Sequence, residues 1–167
     1  FLYMLNGIKP TERMTRAMDI CLILHADHGF NASTFASLVT ISTLSDMYSA
    51  VTTAIGTLKG PLHGGANQVV MIMLQEIEGL DAVEEYVLDK LAKKDKIMGF
   101  GHRVYKAYDP RATYLKTFAE GIAEDTGNAE LFELSKRIEQ IMDREVGSRG
   151  IYPNVDFYSA TTYFSLG

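Results

Sequence analysis

The chain has 167 residues, 47% of them hydrophobic and 22% charged, with a formal net charge of −5. That balance belongs to a globular protein with a real core, and the acidity disfavours a general nucleic-acid or anionic-membrane binder, whose surface is basic. No apolar run approaches the roughly 18 residues of a membrane span, and Cys21, the single cysteine, leaves no intrachain disulfide to form. The opening "FLYMLNG" lacks an initiator Met and a charged leader, so it does not read as a signal peptide. With the abrupt end "TTYFSLG", it reads as an internal stretch of something longer.

The pattern along the chain is helical, and the expected class is all-α. After Pro10, "TERMTRAMDICLILHA" places Met14, Ala17, Met18, Cys21 and Leu22 on one helical stripe, with Cys21 a buried, inert thiol. Asn31 is a good N-cap for a long helix through "STFASLVTISTLSDMYSAVTTAI", whose few charges predict burial on several sides. "KGPLHGG" breaks the pattern and marks a candidate domain boundary. "ANQVVMIMLQEI" forms a third helix. Asp81 and Glu84 form a capping-box-like pair before a fourth, "YVLDKLAKK". Pro110 opens a fifth, "RATYLKTFAEGIAE". Asn128 caps a sixth with Leu131, Leu134, Ile138 and Ile141 along one face. "EVGSRGIYPNVD" reads as a loop and "FYSATTYFSL" as a last short helix.

All four histidines lie at breaks between helices or beside them: His25 and His28 in "HADHGFN", His63 in "GPLHGG", His102 in "GFGHRV". Asp156 sits in "PNVDFYS", just before the last helix. A single histidine near a helix end is commonly a satisfied structural residue. Several glycine- or turn-flanked titratable groups together point to function. His28, His63, His102 and Asp156 could be metal ligands, but "HADH" lacks the glutamate of HExxH and any cysteine partner. Alternatively they are acid–base and carboxylate-binding groups. Histidine suits this because it titrates near neutrality, and Arg111 adds a fork for a carboxylate. "GFGHRV" is not a dinucleotide fingerprint, since it lacks the third glycine and follows a helix. No GxSxG nucleophile is present. "GFGHRVYKAYDPRA" alone could be a solvated cationic loop following "LAKKDK".

Taken in order, "HADHGFNASTFA", "GPLHGGANQ", "GFGHRVYKAYDPRA" and "NVDFYSA" resemble the citrate synthase family in its short bacterial and archaeal form, which includes 2-methylcitrate synthases. The resemblance runs over essentially all 167 residues. It implies an all-α homodimer with the active site in a cleft between a large and a small domain. Residues 1–62 would be part of the large domain, with dimer-interface helices that include "STFASLVTISTLSDMYSAV". Residues 63–155 would form the small domain, and residues 156–167 would begin the return to the large one. The implied reaction condenses acetyl-CoA with oxaloacetate and hydrolyses the thioester, giving citrate and free CoA. By resemblance Asp156 is the base that removes a methyl proton, and His63 donates to the thioester carbonyl. His102 polarises the ketone and protonates the new alkoxide. His28 and Arg111 bind oxaloacetate; Lys106, assisted by Arg103, meets the CoA phosphates. No metal and no tightly bound cofactor are implied; acetyl-CoA is a co-substrate, and the expected location is cytoplasmic.

Many relatives carry Glu where this chain has Gly29. The family also has two carboxylate-binding arginines C-terminal to "NVDFYS", beyond residue 167, so the isolated chain is expected to be inactive. A 2-methylcitrate synthase using propionyl-CoA is the near alternative, and a non-catalytic helical interaction module is the alternative of another class.

Overall fold

The computed structural model describes every residue except His28, Arg103, Val104 and Lys106. The described residues are all-α, with a single isolated bridge between Phe100 and Pro153. A short first helix, α1 (Leu2–Asn6), went unread in the sequence; Gly7 ends it at φ 72°. In α2 (Glu12–His25) Thr11 caps by accepting the Met14 N–H. Ala17 and Cys21 are fully buried, and burial pushes the Cys21 thiol up to about 11. Leu22 departs from the expected stripe and is 57% exposed. One residue beyond Cys21, it is turned about 100° round the helix.

The stretch expected as one long second helix is two, α3 (Ala32–Ser42) and α4 (Met47–Leu58). Leu44 takes φ 63°, which no right-handed helix continues through, and Asp46 starts α4 by accepting the Ser49 N–H. The two pack on each other as a hairpin. Their low charge predicted burial on several sides, yet within this chain α3 has no buried residue. Phe35, Val39, Tyr48, Val51 and Ile55 lie exposed because little of this chain covers them.

α5 (Ala66–Gln75) buries Val70 and Leu74. The next element opens as a 3-10 turn, Leu80–Ala82, before α6 (Val83–Ala92). The turn shifts the helix start to Ala82, which has no capping oxygen, so the expected Asp81–Glu84 box does not form. Glu84 instead receives Arg144 at 2.7 Å and Arg137 at 3.4 Å. α7 (Pro110–Thr126) begins on an Asp109 cap with Pro110 in its first turn. α8 (Ala129–Val146) buries Leu134, Ile138 and Ile141, as its spacing requires. Asn128 makes no side-chain cap there; its amide donates to Thr126 Oγ1. A 3-10 turn, Gly147–Arg149, leads towards α9 (Val155–Leu166).

α9 is the centre of the core. Phe157, Tyr158, Thr161 and Thr162 are essentially inaccessible, and the two threonine hydroxyls donate to the Tyr158 carbonyl, so no polar cost remains. α7 and α5 pack along it, and α2 and α8 complete the cage. Each fully buried aromatic contributes about 1.5–3 kcal/mol. This packing fixes where the first turn of α9, which carries Asp156, sits against the start of α7, which carries Arg111.

Candidate active site

Asp156 is placed by Asn154. The Asn154 side-chain oxygen caps α9 by accepting the Asp156 N–H at 3.0 Å, and its Nδ2 donates to the Gly101 carbonyl at 2.9 Å. Two backbone bonds reinforce this link. The Gly101 N–H donates to the Tyr152 carbonyl and the Asn154 N–H to the Gly99 carbonyl, both at 2.8 Å. The loop leading to His102 and the loop leading to Asp156 are thereby stapled together. Gly99 makes the staple possible: its φ is 81°, and a Cβ there would lie 2.8 Å from Phe157 Cβ.

His102 Nδ1 accepts the Tyr105 N–H at 3.1 Å, so the neutral ring carries its proton on Nε2. The Tyr105 ring leans over it at 4.7 Å between centroids. His63 stands in the tight turn between α4 and α5. A Cβ on Gly65 would come within 2.9 Å of the Lys59 carbonyl, so the turn demands glycine there. The Ser33 N–H, in the first turn of α3, donates to His63 Nε2 at 3.3 Å, and Ser33 Oγ lies 2.9 Å from the same nitrogen. A backbone N–H can only donate, so Nε2 is an acceptor and the neutral ring keeps its proton on Nδ1.

Arg111 is held by Asp109. Its Nε and Nη2 donate to the two Asp109 oxygens at 3.0 and 2.8 Å, and the Arg111 N–H adds a third bond at 3.0 Å. Asp109 is 1% exposed. Burial alone would raise its carboxyl, but the Arg111 bonds and charge, with that of His102, outweigh it and hold the group below its ordinary value.

Burial pushes the Asp156 carboxyl above its ordinary value. His25, Arg111 and His63 pull it back by their charge, while Asp109 pushes the same way as burial. Groups from α2, the turn before α5 and the start of α7 therefore act on one carboxyl at the start of α9. Among the sequence-nominated residues, the structure brings His63, Arg111 and Asp156 into one electrostatic neighbourhood, and staples the His102 loop beside it. His28, Arg103 and Lys106 lie outside the described residues. No group of three or more potential metal ligands gathers among the described residues.

The residues that position this set escaped the sequence reading. Ser33 holds His63 across 30 positions, which no local pattern reveals. Asn154 and Asp109 had a local signal, since each stands just before a helix start where a capping oxygen is favoured. His25 was noted without a role. It sits at the end of α2, donates from Nδ1 to the Cys21 carbonyl at 2.7 Å and faces Tyr163.

Comparison with known proteins decides the family. The model of the citrate synthase C-terminal domain matches residues 1–167. The chain belongs to the citrate synthase family. The citrate synthase of Deinococcus radiodurans is 56% identical over 100% of this chain and 44% of its own length. Citrate synthase 2 of Bacillus subtilis is 54% identical over the same shares. A 2-methylcitrate synthase of Shewanella oneidensis is 43% identical, again over 100% of this chain and 44% of its own length. Among solved structures, the ternary complex of citrate synthase from Thermoplasma acidophilum with carboxymethyl coenzyme A and oxaloacetate superposes with a TM-score of 0.91. It is 43% identical over 99% of this chain and 44% of its own. The chain thus spans less than half the length of these citrate synthase family relatives.

This citrate synthase family chain has a further feature beside the stapled loops. A cavity of about 630 Å³ has an apolar wall that includes Ile97, Phe100 and Ile151, and the cationic Lys94, Lys96 and Arg149 line it beside one acidic residue, Asp95. The sequence reading gave "LAKKDK" no role of its own. The fold turns two of its lysines onto a hollow next to Gly101.

Proposed function

We propose that the full-length protein carrying this chain condenses acetyl-CoA with oxaloacetate and hydrolyses the resulting thioester, releasing citrate and CoA. The convergence of His63, Arg111 and a desolvated Asp156 carries this reading. Asp156 accepts a proton from the methyl carbon of acetyl-CoA. A carboxyl raised by burial is a stronger base than an exposed one, which suits an otherwise reluctant C–H acid. The His63 Nδ1–H donates to the thioester oxygen as enol character develops, and the Ser33 contact keeps that proton on Nδ1. The enol carbon then attacks the ketone carbon of oxaloacetate. His102 donates from Nε2 to the ketone oxygen and protonates the alkoxide. Water cleaves the citryl thioester.

Arg111, with His28, holds oxaloacetate. Asp109 engages the Nε and Nη2 side of the guanidinium, which orients the Nη1 side towards a substrate carboxylate. Lys106 and Arg103 meet the CoA phosphates, and the cationic groups of the 630 Å³ cavity fit the same polyanion. The division near residue 62, with closure of a cleft on substrate, belongs to this proposal. So does a homodimer, in which a second copy covers the exposed α3–α4 face; the near absence of charge there favours it.

The test is free-thiol release by the full-length protein with oxaloacetate and either acetyl-CoA or propionyl-CoA. Release that requires oxaloacetate and is faster with acetyl-CoA is the expected result. Faster release with propionyl-CoA would make the protein a 2-methylcitrate synthase. No release from the folded protein would overturn the condensation and favour a non-catalytic helical module. In the same assay Arg111→Lys raises KM for oxaloacetate by roughly tenfold or more, since a charge-assisted bond contributes about 1.5–3 kcal/mol and lysine has no fork. An unchanged KM would remove Arg111 from the binding role.

A further inference from the structure

Glu139, on α8, is 9% exposed and belongs to none of the groups assigned above. Its Oε1 accepts the Tyr108 hydroxyl at 2.5 Å. Its Oε2 accepts Lys116 Nζ at 2.5 Å and also the Tyr158 hydroxyl. The three donors come from two other parts of the chain. Tyr108 directly precedes Asp109, and Lys116 lies further along α7. Tyr158 lies two residues after Asp156, in the first turn of α9. Lys116 Nζ also lies 5.5 Å from the Tyr158 ring centroid, which closes the cluster.

Taking an ion pair such as Lys116–Glu139 largely out of water is costly, and well-packed hydrophobic side chains often match such clusters in stability. Stability therefore gives a weak account of Glu139; geometry gives a better one. One carboxylate bonds two rigid phenols, and each phenol is within two residues of a group of the proposed site. The Tyr108 strut leads to Asp109, which holds Arg111, the group that binds the keto acid. The Tyr158 strut leads to Asp156, which takes the proton. Both phenols are pushed well above their ordinary range by burial and by the Glu139 bond, so they stay protonated and keep donating.

We propose that Glu139 is a positioning residue that sets the distance between the Arg111 carboxylate site and the Asp156 base by tying Tyr108 and Tyr158 to one carboxylate. This rests on the condensation reading above. Misplacing a reacting group by about 1 Å costs roughly a hundredfold in rate, so a slackened clamp has a kinetic signature that a packing role lacks.

The experiment compares Tyr108→Phe, Tyr158→Phe and Glu139→Gln in the full-length protein. Thiol release and thermal unfolding are measured on each. The phenylalanine variants keep ring packing and lose only the strut. We expect Tyr108→Phe to act mainly on KM for oxaloacetate and Tyr158→Phe mainly on kcat, each by about tenfold. Glu139→Gln combines both effects. Unchanged kinetics in folded phenylalanine variants would overturn the inference. Equal losses in both parameters that follow the fall in Tm would overturn it too, leaving Glu139 a packing group. No turnover by the unsubstituted protein would overturn the condensation reading, and this inference with it; turnover there with kinetically silent variants overturns this inference alone.

Discussion

Asp156→Asn lowers the turnover of the full-length protein by at least about a hundredfold, the lower end of what a positioned general base supplies. The substitution keeps size and shape, removes the negative charge and the basic oxygen, and puts an amide donor in place of one carboxylate oxygen. Its thermal midpoint at neutral pH stays level or rises. Burial raises the Asp156 carboxyl in the folded state relative to the unfolded chain. Such a group favours the fold most below its unfolded pKa, and that contribution is lost as pH climbs through the raised folded pKa. At neutral pH the protein therefore carries a desolvated carboxylate, and asparagine relieves it. The midpoint advantage of Asp156→Asn shrinks as the pH is lowered and both forms become neutral. Turnover of the unsubstituted full-length protein is expected to run the other way: it rises with pH as the proposed base deprotonates, on an acid limb displaced upward from that of an exposed aspartate. The measurements are thiol release and thermal unfolding of both proteins from acid to neutral pH. A loss of less than tenfold would take the base role from Asp156, and a large fall in Tm at neutral pH would contradict the burial argument.

Gly99→Ala destabilises the protein by about 2–5 kcal/mol, the sum of a left-handed backbone penalty and overpacking. The φ of 81° is one cause. The other is that the new Cβ meets Phe157 Cβ, Cδ2 and Cα at 2.8–2.9 Å, and the Cα is backbone of the central helix and cannot swing aside. Gly101→Ala is the control. It has the same φ of 81° and no atom of the described residues within 4 Å of its Cβ, so it carries the conformational cost of about 1–2 kcal/mol without that clash. Denaturant unfolding separates the two. Gly99→Ala also loosens the staple that joins the His102 loop to Asn154, so turnover falls alongside stability. Equal unfolding free energies for the two variants would show that Phe157 yields and that the close approach is not what holds the loops.

Local rules carried most of the fold. α2, α5, α7, α8 and α9 lie where apolar spacing and turn residues put them, because helix formation is decided within a few residues of each hydrogen bond. The failures were also local in cause. The Ser-Asp start of α4 sat inside an unbroken apolar pattern, and Leu44 took a left-handed turn that its side chain does not advertise. The Asp81–Glu84 pair had the spacing of a capping box, but the helix began one 3-10 turn later.

The site divides the same way. The sequence by itself determined the helical class, the breaks between helices, and the set of histidines, Arg111 and Asp156 gathered at those breaks. It also contained the Asp109–Arg111 clamp, because the partners stand only two positions apart. Only the tertiary structure decided which groups share one space. Ser33 sets the proton on His63, Gly99 and Gly101 pair with Tyr152 and Asn154, and Glu139 gathers Tyr108, Lys116 and Tyr158. These contacts join residues far apart along the chain, and no periodicity encodes them. The staple and the Glu139 cluster gather at the buried start of α9, where Phe157 and Tyr158 are inaccessible and polar groups taken from water gain by pairing with those that α7, α8 and the flanking loops bring.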